Sequence, residues 1–186
     1  MGGEMKDLFK GSLVRLSAID PQELSKAYAV WNRDSEFRRL LDSDPARLYS
    51  SKAGADFFRK LLEDATPEQH YFNIRALEDN RLLGDIGLDI TNNWNGRSAM
   101  VGIGIGDRQD WGKGYGTEAL RLILRFAFTE INLNRVALNV FDYNARAIRS
   151  YEKAGFKHEG RARGALLRDG KRSDLIYMSI LRDEWV

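Results

Sequence analysis

Between residues 108 and 117 the chain reads "RQDWGKGYGT", with Gly112, Gly114 and Gly116 directly ahead of the apolar run "ALRLILRFAF". Glycines at alternate positions leave backbone N–H groups uncovered, and a helix starting there adds about half a positive charge at its end. Such a junction is either a tight strand-to-helix turn or a seat for phosphate. It is not a Walker loop, because Lys113 lies between the glycines and no Gly-Lys-Ser/Thr follows. It also lacks the strand, spacing and downstream acid of a dinucleotide fingerprint. A pyrophosphate of another kind fits the pattern.

The elements around this junction follow from periodicity. In "GTEALRLILRFAFTEI" (116–131) the polar residues Glu118, Arg121, Arg125 and Thr129 fall three or four apart, predicting one helix largely buried against a sheet. Upstream, "HYFNIRAL", "RLLGDIGLDI" and "SAMVGIGIG" read as three strands joined by "EDN" and "TNNWNGR", an antiparallel meander. Earlier still, "SLVRLSAI" predicts a first strand. "DPQELSKAYAVWNR" predicts a helix with Asp20 as N-cap, Pro21 in the first turn and Glu23 at the third position. After the polar stretch "DSDPARLYSS", Phe57, Phe58, Leu61 and Leu62 have helical spacing in "KAGADFFRKLLEDA".

Past the long helix, "NRVALNVF" predicts a strand. "NARAIRSYEKAGF" predicts a short helix with Asn144 as N-cap and Gly155 just past its end. Strands "KHEGRARGALL" and "SDLIYMSIL" flank "RDGKR", where Asp169-Gly170 marks a hairpin and the tip is expected to be solvated.

Composition narrows the chemistry. With 186 residues, 43% of them hydrophobic, the chain is sized for one core, and a single domain over 1–186 is expected. The 29 basic and 27 acidic residues, net +2, are spread without a concentrated basic face, so nucleic acid is not an expected partner. No cysteine is present, which excludes disulfides, thiolate zinc sites and a covalent cysteine intermediate; two histidines, His70 and His158, make no metal cluster. No apolar run approaches the roughly 20 residues of a membrane helix. "MGGEMKDLFK" has no apolar signal core, and Lys6 stands where a myristoylation motif has Ser or Thr. A cytoplasmic protein without membrane or metal partners is the expectation.

"WGKGYGTEALRLILRFAF" followed after a strand by "NARAIRSYEKAGF" resembles the acetyl-CoA binding core of the GNAT N-acetyltransferases, in the branch of RimJ, RimL and the spermidine acetyltransferases. "GSLVRLSAIDPQEL" with "WNRD", and "RDGKRSDLIYMSILRDEW", resemble that branch's first strand with acceptor-side helix and its closing hairpin. The resemblance implies a single α/β domain of α+β type. Its mixed, mostly antiparallel sheet splays between the fourth and fifth strands and is flanked by helices. It implies acetyl-CoA as co-substrate, with a pyrophosphate held by the backbone amides of Gly112, Lys113, Gly114, Tyr115, Gly116 and Thr117. The pantetheine arm would pass between "MVGIGIG" and "ALNVF", beside Ile105, Asn139, Asn144 and Ala147. The family's Q/R-x-x-G-x-G/A signature fits best starting at Trp111, which leaves Gln109 a bystander and puts an indole where Gln or Arg is usual.

Tyr151 matches the family tyrosine whose hydroxyl protonates the departing thiolate, although a packed tyrosine on the apolar side of its helix reads equally well from the residues alone. Asn144 is likewise either an N-cap, a pantetheine contact or both. The implied reaction is direct attack of a primary amine, on a protein N-terminus or a small molecule such as a polyamine. Backbone amides of the splayed strand would hold the oxyanion. Met100 and Val101 occupy the position of the glutamate base of many relatives and cannot replace it; Asp85, Asp89 and Asp174 are the alternatives. The missing acid also leaves open an acyl-CoA binding module without catalysis. His158 is not placed in the site; Trp94 and Trp31 are aromatic candidates for the acceptor pocket, Trp31 fitting core packing better. Arg33, Arg38, Arg39 and Arg47 beside Asp34, Glu36, Asp42 and Asp44 do not choose an acceptor. The branch includes monomers, dimers and larger rings, and the sequence leaves a homo-oligomer open.

Overall fold

Apolar and polar side chains alternate along β1 (Val14–Ala18), which turns Val14 and Leu16 inward and leaves Arg15 and Ser17 on the other face. The computed structural model describes residues 7–90 and 97–185. After β1 come α1 (Pro21–Trp31), α2 (Ser35–Leu41) and α3 (Ser51–Glu63), then the strands β2 (Gln69–Ala76), β3 (Leu82–Asp89) and β4 (Ser98–Ile105). The second half runs α4 (Tyr115–Arg125), β5 (Arg135–Phe141), α5 (Ala145–Lys153), β6 (Lys157–Arg168) and β7 (Lys171–Leu181). Among the described residues these strands make one seven-stranded sheet, ordered β1-β2-β3-β4-β5-β7-β6.

Neighbours are antiparallel except β4 and β5, which run parallel and are paired only over Ser98–Met100 and Arg135–Ala137. Beyond those residues the two strands part, so the sheet splays where the resemblance implied. One face of β3 and β4, carrying Ile86, Leu88, Ala99 and Val101, joins α4 and α5 in the main core with Leu120, Ile123, Leu138 and Met178. The opposite face carries Asp85, Gly87 and Asp89 on β3 with Met100, Gly102 and Gly104 on β4, beneath the first three helices. Tyr28, Trp31, Phe37 and Phe58 form an aromatic cluster that holds α1, α2 and α3 together.

Local chemistry explains where the expectations held and where they did not. Asp20 caps α1 through the amides of Gln22 and Glu23, but Glu23 pairs with Arg75 of β2 instead of closing a capping box. Helix α2 was not delimited from the sequence, since seven residues are too few to show a periodicity; Asp34 caps it. The helix expected over 116–131 is α-helical only to Arg125 and continues as a π-helical turn, Phe126–Glu130. There Thr129 donates its hydroxyl to the carbonyl of Arg125, and the Ile131 amide reaches back to Phe126. Asp169 and Gly170, at φ 53° and 71°, make the hairpin turn expected of them. Its tip is not simply solvated: Arg39 of α2 pairs with Asp169, and Arg168 donates to the carbonyl of Arg39 at 2.7 Å. No helix among the described residues is long and apolar enough to cross a membrane.

Candidate active site

The glycine junction is held from both ends. Before it, Asp110 is almost wholly buried and takes two hydrogen bonds from Arg81, at 2.5 and 2.7 Å, and a looser one from Lys113 at 3.4 Å. Arg81 is the main reason that the Asp110 carboxyl lies below its ordinary value, outweighing the upward push of burial. After the junction, Glu118 in the first turn of α4 accepts hydrogen bonds from the Ser12 hydroxyl and the amides of Ser12, Leu13 and Val14. Burial raises the Glu118 pKa, yet these donors together hold it below the ordinary value. Between the anchors, Gly112 and Gly114 adopt φ of 78° and 92°, a backbone that side chains resist. Gly114 caps α4 without any side-chain acceptor, so the first-turn amides at Tyr115, Gly116 and Thr117 are left for something else.

Gly116 is instructive. A Cβ there would meet only ordinary contacts, the nearest being Ile105 at 3.6 Å. The fold therefore does not require this glycine, whereas a ligand seated on the helix end would.

Trp111 donates its indole N–H to the carbonyl of Ile105 at 2.7 Å, tying the loop back to β4, and the Arg146 guanidinium stacks 3.5 Å above the ring. The indole is thus a clamp on the loop. Lys113 turns to Asp110. The side chain of Gln109 is exposed on a 3-10 turn.

A cavity of about 1350 Å³ opens at the splay and reaches both faces of the sheet. On the α4 and α5 side it is lined by the glycine loop, Thr117, Ile105, Asn139, Ala147 and Tyr151. It also meets three residues that the sequence reading missed: Arg146, Arg149 and Lys153. Their i, i+3, i+7 spacing on α5 was a readable signal of one cationic helix face. Thr117 and Ser150 share a hydrogen bond of 2.8 Å across this wall.

Asn144 is buried and caps α5 through the Ala147 amide, while its Nδ2 donates to the carbonyl of Leu40 at 3.4 Å. The capping reading is therefore observed. Tyr151 is also buried, edge-on to Phe156, and still borders the cavity. Burial pushes its hydroxyl up to about 12, with the charge of Arg146 pulling weakly the other way.

The opposite, acceptor side is walled by α1, α2 and α3. Asp42, Asp44, Asp85 and Asp89 line it, with Arg38 the one basic residue among them. Arg38 is bound to Asp42 at 2.6 Å. Three of the other charges that left the acceptor undecided are taken up elsewhere, Asp34 and Glu36 by Arg108 and Arg39 by Asp169, while Arg33 and Arg47 are exposed and do not line the cavity. Asn32 borders the cavity with a buried Oδ1 that accepts no hydrogen bond.

Asp174 does not line this cavity; it accepts the Gly164 amide at 2.8 Å and pairs with Arg161 at 3.2 Å, which removes it from the candidate bases. His158 is exposed beside Glu152, and Trp31 packs against Tyr28 and Phe37. Trp94 lies outside the described residues.

Comparison with known proteins shows the family and the fold. A family model described as an acetyltransferase (GNAT) domain matches residues 14–157. Probable N-acetyltransferase YjcK of Bacillus subtilis is 34% identical over 182 residues, covering 95% of this chain and 98% of that protein. Uncharacterized N-acetyltransferase p20 of Bacillus licheniformis is 32% identical over 114 residues, 61% of this chain and 63% of its own length. Spermidine N-acetyltransferase from Vibrio cholerae, solved in complex with CoA and spermine, shares the fold. It has a TM-score of 0.77 and 24% identity, covering 92% of this chain and 96% of that one.

Proposed function

The chain belongs to the GNAT acetyltransferase family and is an acetyl-CoA-dependent N-acetyltransferase; on that premise we propose that it acetylates a small, positively charged primary amine in the cavity at the sheet's splay. One observation carries this reading: the two sides of the cavity have opposite character. Uncapped amides of α4, together with Arg146, Arg149 and Lys153, suit the phosphates of acetyl-CoA. The carboxylates of Asp42, Asp44, Asp85 and Asp89 suit an ammonium arriving from the other face.

In this reading the amides of Gly112 to Thr117 hold the pyrophosphate, and the absence of a side chain at Gly116 lets it approach. Ile105, Asn139 and Ala147 border the arm. Trp111, Lys113 and Asn144 act through their backbones and by fixing the loop and the start of α5. Backbone amides of β4 beyond Met100, released from β5, receive the developing oxyanion.

Tyr151 serves the leaving thiolate. A hydroxyl raised to about 12 would not by itself yield its proton to a thiolate of ordinary pKa near 8.5. The tyrosine is therefore a relay: it passes its proton to sulfur as it takes one from the nitrogen that has just bonded to the acetyl carbon. This role needs no ionised tyrosine, which burial disfavours.

The test is release of CoA thiol from acetyl-CoA with polyamines, aminoglycosides, amino acids or peptides bearing free N-termini; with no cysteine, the protein adds no thiol background. Turnover with the cationic small molecules is expected. Turnover confined to peptides would move the acceptor to a protein N-terminus. Stabilisation by acetyl-CoA without turnover on any amine would favour the silent binding module.

A further inference from the structure

The transferase reading leaves one step without a residue, the removal of the acceptor's proton, and the acceptor side of β3 supplies a group for it. Asp85 stands opposite Gly104 of β4, in the stretch of that strand that has already parted from β5. Gly102 and Gly104 present no side chains on this face, and a Cβ at Gly102 would have open space around it. A Cβ at Gly104 would lie 3.8 Å from Asp85 Oδ1. The carboxylate therefore lies beside the side-chain-free backbone of the splayed strand, with Leu41 of α2 and the Tyr28 hydroxyl against the same glycine at 3.2 and 3.6 Å from that Cβ position. Asp89, its competitor, stands opposite Met100, where β4 and β5 are still paired, and it receives Gln69 Nε2 at 3.4 Å.

The surroundings of Asp85 suit a group that gains and loses a proton. Tyr28 of α1 donates its hydroxyl to Oδ1 at 2.7 Å. Burial and the adjacent carboxylate push Tyr28 well above its ordinary value, so it stays the donor. On the other flank, Asn73 of β2 is paired with Asp85 in register, is fully buried, and has an Oδ1 that accepts no hydrogen bond. Cross-strand partners lie within side-chain reach, so a protonated Asp85 offers that orphan oxygen a donor.

We propose that Asp85 is the proton acceptor for the attacking amine and that Tyr28 is the residue that positions it. This rests on the transferase reading above. The ammonium gives one proton to Asp85, which later releases it to solvent; the freed lone pair forms the C–N bond as the C–S bond breaks. Tyr151 supplies the proton to sulfur and recovers the second proton from nitrogen, so the net yield is amide, thiol and one proton.

Burial raises the Asp85 carboxyl to about 6, with the Tyr28 hydrogen bond holding it from rising further. Around the Tyr28–Asp85 pair, Arg38 on α2 and Asp42 just past its end act on Tyr28, Phe58 of α3 packs against the Tyr28 ring, and the strands on either side of Asp85 bring Asn73 and Gly104.

The experiment measures kcat/KM against pH for wild type, Asp85→Asn, Asp89→Asn and Tyr28→Phe, with melting temperatures of the same proteins. Wild-type activity is expected to rise through about pH 6. Asp85→Asn should lose about 10²-fold or more in kcat. In Tyr28→Phe the limb should move upward by about one to two units, the worth of a hydrogen bond to a charge.

A carboxyl raised on folding makes the native state bind the extra proton between about 4 and 6, so it costs stability as pH rises through that window. The melting temperature of Asp85→Asn relative to wild type should therefore grow between pH 4 and 7. An Asp85→Asn enzyme that keeps its rate and its limb, or a melting difference that stays flat with pH, overturns the proposal. Loss of the limb in Asp89→Asn alone assigns the role to Asp89 instead. Wild type without turnover on any amine would end the transferase reading itself, and this proposal with it.

Discussion

Tyr151 illustrates how one side chain serves packing and chemistry together. Its ring is core, edge-on to Phe156, and the residue also lines the cavity. Tyr151→Phe keeps the ring, so the melting temperature should stay near wild type while kcat falls about 10²-fold. The KM for acetyl-CoA should be little changed, and steady-state kinetics beside a melting curve separate the two effects. A hydroxyl pushed up to about 12 remains protonated through the working range, so Tyr151 should contribute no alkaline loss of activity below about pH 11. Gly116 gives the complementary case. Because a Cβ there finds only ordinary contacts, Gly116→Ala should fold as stably as wild type or up to about 1 kcal/mol more so. Its KM for acetyl-CoA should nonetheless rise, since the methyl group stands in the proposed phosphate seat. A Gly116→Ala protein with unchanged KM would remove the seat from that position. The glycine was visible in the sequence; that the fold itself does not need it was not.

The loop and α4 act as one element because carboxylates pin both ends, Asp110 buried and Glu118 partly so. Arg81 lies 29 residues from Asp110, so no sequence pattern could join them. Arg81→Ala would leave the buried Asp110 carboxylate only its looser contact with Lys113, a loss of about 1–3 kcal/mol that thermal or urea unfolding would detect. Asp110 and Glu118 both titrate below their ordinary values in the folded protein. The stability they contribute is present above the ordinary carboxylate range and is lost as pH falls through the lowered values. Acid unfolding of Glu118→Gln should therefore show a weaker dependence on pH below about 4 than wild type. The π-helical end of α4 is a further feature that periodicity could not show, because it depends on where the Thr129 hydroxyl goes.

Across the whole molecule, charge is sorted by fold rather than by sequence position. Arg146, Arg149 and Lys153 meet the cavity on one side of the sheet, and Asp42, Asp44, Asp85 and Asp89 on the other. Exposed charges are screened over about 10 Å at 0.1 M salt. The KM for acetyl-CoA should accordingly rise with added sodium chloride, and the rise should be smaller in an Arg149→Ala/Lys153→Ala double variant. The sequence by itself determined the order of strands and most helices, the caps at Asp20 and Asn144, the hairpin at Asp169-Gly170 and the glycine loop, because each rests on local backbone preference or a short apolar period. Only the tertiary structure decided which charges are spent on one another and which face the cavity. It took Asp34, Glu36 and Arg39 out of contention, withdrew Asp174, and set Tyr28 against Asp85 across 57 residues of chain. Such pairings depend on distances between elements, and neither composition nor periodicity carries those distances.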